Sequence, residues 1–206
     1  MLEFGPIILR ALEKKDVKAL HKWNNDYIVT LYSRGKPFEF KNMLIMEEEI
    51  EKNLKDKKKT FLAIEVKKES RLIGTANYEE ERWGGILSSD LGTMLGEKDC
   101  WNKGYGKIVT LGLCELLFFW KNFDRLSAWS IEYNKRAHRV LEQIGFVREG
   151  IIRKCSFTSG KYWDWYAFGY LKGEYLSKRE KILQKILEED YPEYLKSIPE
   201  EIKSYI

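Results

Sequence analysis

The stretch from Leu87 to Trp120 constrains the fold of this chain more than any other. It leads from a strand-like segment, Leu87 to Leu95, through the turn Trp101-Asn102-Lys103-Gly104-Tyr105-Gly106-Lys107, into a long apolar segment. There Ile108, Leu111, Leu113, Leu116, Leu117 and Trp120 make a broad face. A strand, a tight turn and a helix packed back on a sheet satisfy this pattern. Neither glycine carries a Cβ, so the backbone of the turn can come close to a bulky anion. A helix starting at Tyr105 adds unpaired N–H groups and the positive end of its dipole, and both favour phosphate. Gly-x-Gly also occurs in plain strand-to-helix connections, so the turn alone leaves both readings open. A Walker loop is excluded, because no Gly-Lys-Ser/Thr is present.

Strand-like and helix-like segments alternate along the rest of the chain. Ile7 to Arg10 is a short apolar strand. Asp16 caps a helix with Val17, Leu20 and Trp23 on one face, and Met43 to Lys55 sets Leu44, Ile45, Ile50 and Leu54 at helical spacing. Between them, Tyr32-Ser33-Arg34-Gly35-Lys36-Pro37-Phe38 reads as a loop punctuated by Gly and Pro. Thr60 to Val66 and Leu72 to Tyr78 are strands joined by a polar hairpin connection. In the third strand, Leu87 to Leu95, Gly92 marks a bulge or a close approach. Then follow a strand at Arg125 to Ile131, a helix at Lys135 to Ile144 closed by Gly145, and strands at Val147 to Phe157 and Tyr162 to Leu171.

The order β-α-α-β-β-β-α-β-α-β-β predicts an α/β (α+β) domain over residues 1–173, with a mixed central sheet of about seven strands flanked by helices. Composition shifts from Ser177, and residues 174–206 read as a helical extension. Its stripe of Ile182, Leu183, Ile186 and Leu187 packs on the domain or, alternatively, forms a homodimer contact.

At 206 residues there is room for a sizeable core, and no run approaches the ~18 apolar residues of a membrane span. We therefore expect no membrane partner. The first residues lack a basic region followed by an apolar one, so the expectation is no secretory signal and a cytoplasmic location. Cys100, Cys114 and Cys155 are widely spaced with only His21 and His138 beside them, which supports neither a disulfide framework nor a metal site. Thirty-six basic against 32 acidic residues are too balanced for a nucleic-acid footprint.

A second segment joins the glycine turn. It runs from Asn134-Lys135-Arg136-Ala137-His138 through a helix to Gly145-Phe146-Val147-Arg148-Glu149-Gly150. Together with Trp101 to Gly106 it resembles the GNAT superfamily of N-acetyltransferases, and within it the RimJ/RimL type that acetylates ribosomal-protein N-termini. The resemblance covers residues 7 to about 172. In that family an Arg/Gln-x-x-Gly-x-Gly/Ala turn binds the pyrophosphate of acetyl-CoA, and a later Asn-x-x-Ser, helix, Gly-Phe, Glu-Gly segment borders the pantetheine arm. Gly104 and Gly106 fill the glycine positions, Asn134 the asparagine, and Gly145-Phe146 and Glu149-Gly150 the closing pairs. Gly160-Lys161-Tyr162-Trp163-Asp164 is similar to a hairpin common in the RimJ/RimL branch. Trp101 departs from Arg or Gln, and Ala137 from Ser.

The resemblance implies a GNAT-like, mostly antiparallel sheet and acetyl-CoA as cosubstrate, with no metal. It places cofactor contacts at Met94, Leu95, Trp101, Asn102, Lys103, Gly104, Tyr105, Gly106, Lys107, Asn134 and Arg139. Moving an acetyl group from a thioester to an amine needs a neutral amine, a base to take its proton and an acid for the departing thiolate. Asp90, two residues before Gly92 where relatives often carry Glu, is the first candidate base, and it reads equally as a solvated strand-end carboxylate. Glu132 and Glu149 stand in reserve.

Tyr133 and Tyr166 are candidate acids, and each reads also as a core aromatic. A bulge at Gly92 would free the amides of Met94 and Leu95 for the acetyl carbonyl. His138 is expected to face outward from a basic helix beside Arg136 and Arg139. Acceptor choice falls to Tyr32–Phe38, Tyr78–Trp83 and Ser156–Trp165. Trp83, Trp163 and Trp165 would wall a slot there for an extended peptide N-terminus or a polyamine, with Glu79, Glu80, Glu81 and Asp164 attracting its positive charge; these carboxylates read equally as an ordinary solvated acidic turn. The leading expectation is acetylation of a protein N-terminus. A small amine, such as a polyamine or amine-bearing antibiotic, is the alternative acceptor, and a non-catalytic acyl-CoA sensor is the alternative role.

Overall fold

Among the described residues nine strands make one sheet: β1 (Leu2–Phe4), β2 (Ile7–Ala11), β3 (Lys59–Val66), β4 (Arg71–Glu79), β5 (Glu81–Trp83), β6 (Ile86–Leu95), β7 (Arg125–Ile131), β8 (Val147–Thr158) and β9 (Lys161–Leu171). The computed structural model describes residues 1–203. The spatial order is β1-β2-β3-β4-β6-β7-β9-β8, with β5 paired to β6. Every pairing is antiparallel except β6 with β7, which are parallel and joined by a crossover.

Two strands exceed the expected seven, and both are only three residues long. β5 pairs with β6 through Gly84-Gly85, both at positive φ (56° and 92°), as a two-residue hairpin turn requires. β1 returns onto β2 through Gly5 at φ 55° and Pro6.

A core lies on each face of the sheet, while β8 at its edge is mostly exposed. Leu62, Ile64 and Val66 of β3 enter one core, and Ala63 with Phe61 enters the other. The second core is closed by α1 (Val17–Asn24), α2 (Tyr27–Arg34) and α3 (Met43–Leu54), through Leu20, Trp23, Val29, Met46 and Ile50. α2 overturns the loop expected from Tyr32. Asp26 caps it, accepting from the amides of Ile28 (3.0 Å) and Val29 (3.3 Å), and Gly35 ends it in the left-handed region at φ 64°.

On the opposite face lie α4 (Tyr105–Cys114), a π-helical turn over Glu115–Trp120, and α5 (Lys135–Ile144). They are joined there by α6 (Lys172–Leu176), α7 (Arg179–Leu187) and α8 (Tyr191–Ser197), and a last helix, α9 (Glu200–Lys203), follows. Tyr175, Leu183, Leu187, Tyr194 and Ile198 are buried in the same core as α4. Their anchor is Glu115, fully buried, which accepts from Arg179 Nε at 3.0 Å, from the Tyr194 hydroxyl at 2.5 Å and from the Tyr175 hydroxyl. Burial beside that carboxylate pushes both phenols far above their ordinary range.

Candidate active site

Strands β6 and β7 share a ladder only from Ser88/Arg125 to Leu91/Ala128. Beyond it β6 stays with β4 as far as Leu95, while β7 stays with β9 as far as Ile131, so the two part. The register of β4 against β6 is unbroken from Gly74/Leu95 to Tyr78/Leu91, so the split arises without the bulge expected at Gly92. A Cβ at Gly92 would stand 2.4 Å from Asn77 Nδ2, which makes it a close approach of a side chain instead. Successive amides of a regular strand point to opposite edges, so of Met94 and Leu95 one faces β4 and the other the split.

A cleft of about 400 Å³ opens at the split. Met94 and Leu95 line one wall, Trp101, Asn102, Gly104, Gly106 and Lys107 the floor, and Asn134, Arg136 and Arg139 the far side. The Trp101 indole donates to the Leu95 carbonyl at 2.9 Å and pins the turn to the end of β6. Asn102 and Gly104 take positive φ (60° and 87°), and nothing lies within 4 Å of where a Gly104 Cβ would sit. The Lys107 and Ile108 amides both reach the Gly104 carbonyl, and those of Tyr105 and Gly106 precede the helical ladder. Lys103 is exposed outside the lining, and Tyr105 packs against the core.

Arg136 is held between two rings, its guanidinium 4.5 Å from Tyr32 and 4.4 Å from Trp101. Lys107, Arg136 and Arg139 put three cations on the cleft, and among the described lining residues there is no carboxylate and no imidazole. Such a cleft suits a polyanion.

The proposed acids are placed elsewhere. The Tyr133 hydroxyl donates to the Leu31 carbonyl at 2.8 Å, and burial pushes its pKa up to about 12. Asn134 donates to the Tyr32 carbonyl at 2.8 Å while capping α5 at Ala137, and Ser156 Oγ donates to the Gly35 carbonyl at 2.9 Å. Tyr133, Asn134 and Ser156 thus tie down the end of α2. Tyr166 stacks on His138 at 5.0 Å beneath α5 with Arg148 over its ring, outside the cleft lining.

His138 does not face outward as expected. It is buried, its Nε2 lies 3.1 Å from the Ile131 carbonyl, and burial lowers its pKa. Asp90 is exposed on β6 outside the lining, Glu149 is paired with Arg125, and Glu132 faces the Asp164 amide at 3.5 Å.

The sequence placed Tyr32 at the start of the acceptor-choosing segment and Arg136 beside His138, but gave neither a role in the cleft that both line. The helical spacing of Val29, Tyr32 and Ser33 carried the signal, once α2 was recognised. Of the tryptophans expected to wall a slot, Trp163 packs edge-on against Tyr133 at 4.9 Å. Trp163 donates to Thr158, Trp165 Nε1 is buried without a partner, and the side chain of Trp83 falls outside the described residues. Glu79, Glu80, Glu81 and Asp164 line neither this cleft nor a smaller cavity of about 180 Å³ that adjoins it. The two spaces share Ser33, Thr93 and Met94.

The family model for the acetyltransferase (GNAT) domain matches residues 7–147. The chain belongs to the GNAT acetyltransferases. It is an acetyl-CoA-dependent acyltransferase, and acetyl-CoA is its cosubstrate. Among curated relatives, the SPbeta prophage-derived uncharacterized N-acetyltransferase YokL of Bacillus subtilis (strain 168) is 24% identical over 82% of this chain and 92% of its own. The spermidine N(1)-acetyltransferase of Vibrio cholerae is 25% identical over 84% of this chain and 98% of its own. The crystal structure of spermidine N-acetyltransferase from Vibrio cholerae with CoA and spermine superposes with a TM-score of 0.74 at 23% identity, covering 83% of this chain and 98% of that one. None of these three carries the RimJ/RimL type. No helix among the described residues is long and apolar enough to cross a membrane, and no cluster of His, Cys, Asp or Glu among them is placed to hold a metal.

Proposed function

We propose that this GNAT enzyme transfers acetyl directly from acetyl-CoA to the nitrogen of a small amine, with Tyr32 as proton donor to the departing thiolate. The observation that carries the reading is the cleft, where freed strand amides, a glycine turn and three cations meet with no carboxylate opposing them. The turn amides with Lys107, Arg136 and Arg139 hold the phosphates, and the β6 amide facing the split donates to the acetyl oxygen as negative charge builds on it. The amine attacks the carbonyl carbon, the carbon–sulfur bond breaks, and the Tyr32 hydroxyl gives its proton to sulfur and is reprotonated from solvent. With no carboxylate or imidazole lining the cleft, the amine's own proton leaves to solvent.

Two findings support a small acceptor over a protein N-terminus. One relative at 25% identity is a spermidine acetyltransferase. The space adjoining the cleft holds only about 180 Å³, lined by residues of α1, α2 and α3 on its helical side.

Thiol release from acetyl-CoA tests the reading against spermidine, glucosamine, 2-aminoethanol and peptides led by Ala or Ser. Release with one or more of the small amines is expected. Release with peptides alone would restore the protein N-terminus, and acetyl-CoA binding without release for any acceptor would favour a sensor.

A further inference from the structure

The smaller cavity has an uneven chemistry. Its uncharged polar lining consists of side-chain amides from Asn24, Asn53 and Asn77 and hydroxyls from Ser33, Thr75 and Thr93. Among its described lining residues the one charged group is Arg34, 3.7 Å from Glu39, and none is a carboxylate. Asn24 is 2% exposed. Its Nδ2 donates to the Leu20 carbonyl at 2.7 Å, which fixes the orientation of the amide, because a flipped side chain would set oxygen against oxygen. Asn24 Oδ1 is then left buried with no hydrogen-bond donor. Native proteins seldom leave a buried acceptor idle, and Asn24 is among the residues lining a cavity that adjoins the cofactor cleft.

We infer that, on the acetyl-transfer reading above, this cavity is the acceptor site and Asn24 Oδ1 accepts an N–H or O–H of the acceptor, selecting a singly charged amine bearing hydroxyl groups, of the amino-alcohol or amino-sugar class. A second ammonium would sit beside Arg34, whose own charge is met by Glu39 outside the lining, and no carboxylate of the lining would offset its desolvation, which disfavours a polyamine. Hydroxyl groups match the amides of Asn53 and Asn77 and the hydroxyl of Thr75, each able to donate or accept. The volume equals the share of about six waters, which suits the head of such a molecule. Gly92 belongs to the same design, since its missing Cβ lets Asn77 lie against β6 beside the split.

The test is steady-state thiol release with glucosamine, 2-aminoethanol and spermidine, for the wild type, Asn24→Leu and Asn53→Asp. The wild type should show a higher kcat/KM with glucosamine or 2-aminoethanol than with spermidine. Asn24→Leu should raise the KM of the preferred amine about tenfold and leave the KM of acetyl-CoA unchanged. Asn53 is half-buried near the end of α3, so Asn53→Asp tests the site even if Asn24→Leu fails to fold. Its added carboxylate should swing selectivity toward spermidine about tenfold. Acceptor KM values and selectivity unmoved in the folded variants would overturn the assignment of the cavity and leave acetyl transfer standing. A wild type that prefers spermidine would overturn the selectivity. Turnover of none of the three amines would overturn the small-amine reading, and this inference with it.

Discussion

Replacing Arg179 by Met removes the cation from the buried cluster that joins the C-terminal helices to the end of α4. Glu115 is fully buried and would keep the hydroxyls of Tyr175 and Tyr194 as donors, but no positive charge would remain to offset it. Stripping one partner from a buried pair costs about 3–5 kcal/mol. Two surviving hydrogen bonds to the carboxylate place this case at the lower end, about 3 kcal/mol, against a total stability of roughly 5–15 kcal/mol.

Removing both charges, as Glu115→Gln with Arg179→Met, leaves a neutral amide among hydroxyls and should cost about 1 kcal/mol. Urea unfolding followed by tryptophan fluorescence reads both values. The glycine turn stands at the other end of α4, ten residues or about 15 Å away, so acetyl-CoA affinity of the folded variants should not change. A single variant within 1 kcal/mol of wild type, or a double variant less stable than the single, would refute the reasoning.

Tyr32→Phe should lower kcat about a hundredfold with little change in the KM for acetyl-CoA, and an unchanged kcat would return the proton to water. With solvent as base, kcat/KM should rise about tenfold per pH unit toward the acceptor's own pKa, identically in wild type and Asp90→Asn. A plateau near neutrality that Asp90→Asn abolishes would make Asp90 the base. His138 is buried with a lowered pKa, so the unfolded chain binds its proton more readily. Stability should therefore fall as pH drops below about 6.5, by at most about 1.4 kcal/mol per unit, and urea midpoints of His138→Gln should lack that share of the loss.

The larger elements were legible because their signals are local. Alternation in β3 and β4, the glycine turn and the apolar face of α4 survive any tertiary arrangement, and they suffice for the sheet, the crossover and the floor of the cleft. α2 was lost because the Gly35-Lys36-Pro37 punctuation drew the boundary back to Tyr32, although Asp26 and Gly35 bracket the helix as caps. That error hid the wall from which Tyr32 and Ser33 reach the cleft. The duties of Tyr133 and Asn134 were beyond any pattern, because their partners are main-chain atoms 102 residues earlier. His138 was misplaced because basic neighbours suggest a solvated face, whereas the ring lies on the buried side of α5 with Leu141 and Ile144.

The end of α2 is moored through its main chain: Tyr133 to the Leu31 carbonyl, Asn134 to that of Tyr32 and Ser156 to that of Gly35. These bonds do not depend on which side chains α2 carries at Leu31 and Tyr32, nor at Ser33 and Arg34 that follow before Gly35. The partition between the two cavities can therefore change its chemistry by substitution while its position stays fixed. A lineage with this scaffold is free to exchange one acceptor for another without rebuilding the place where the acetyl group is held.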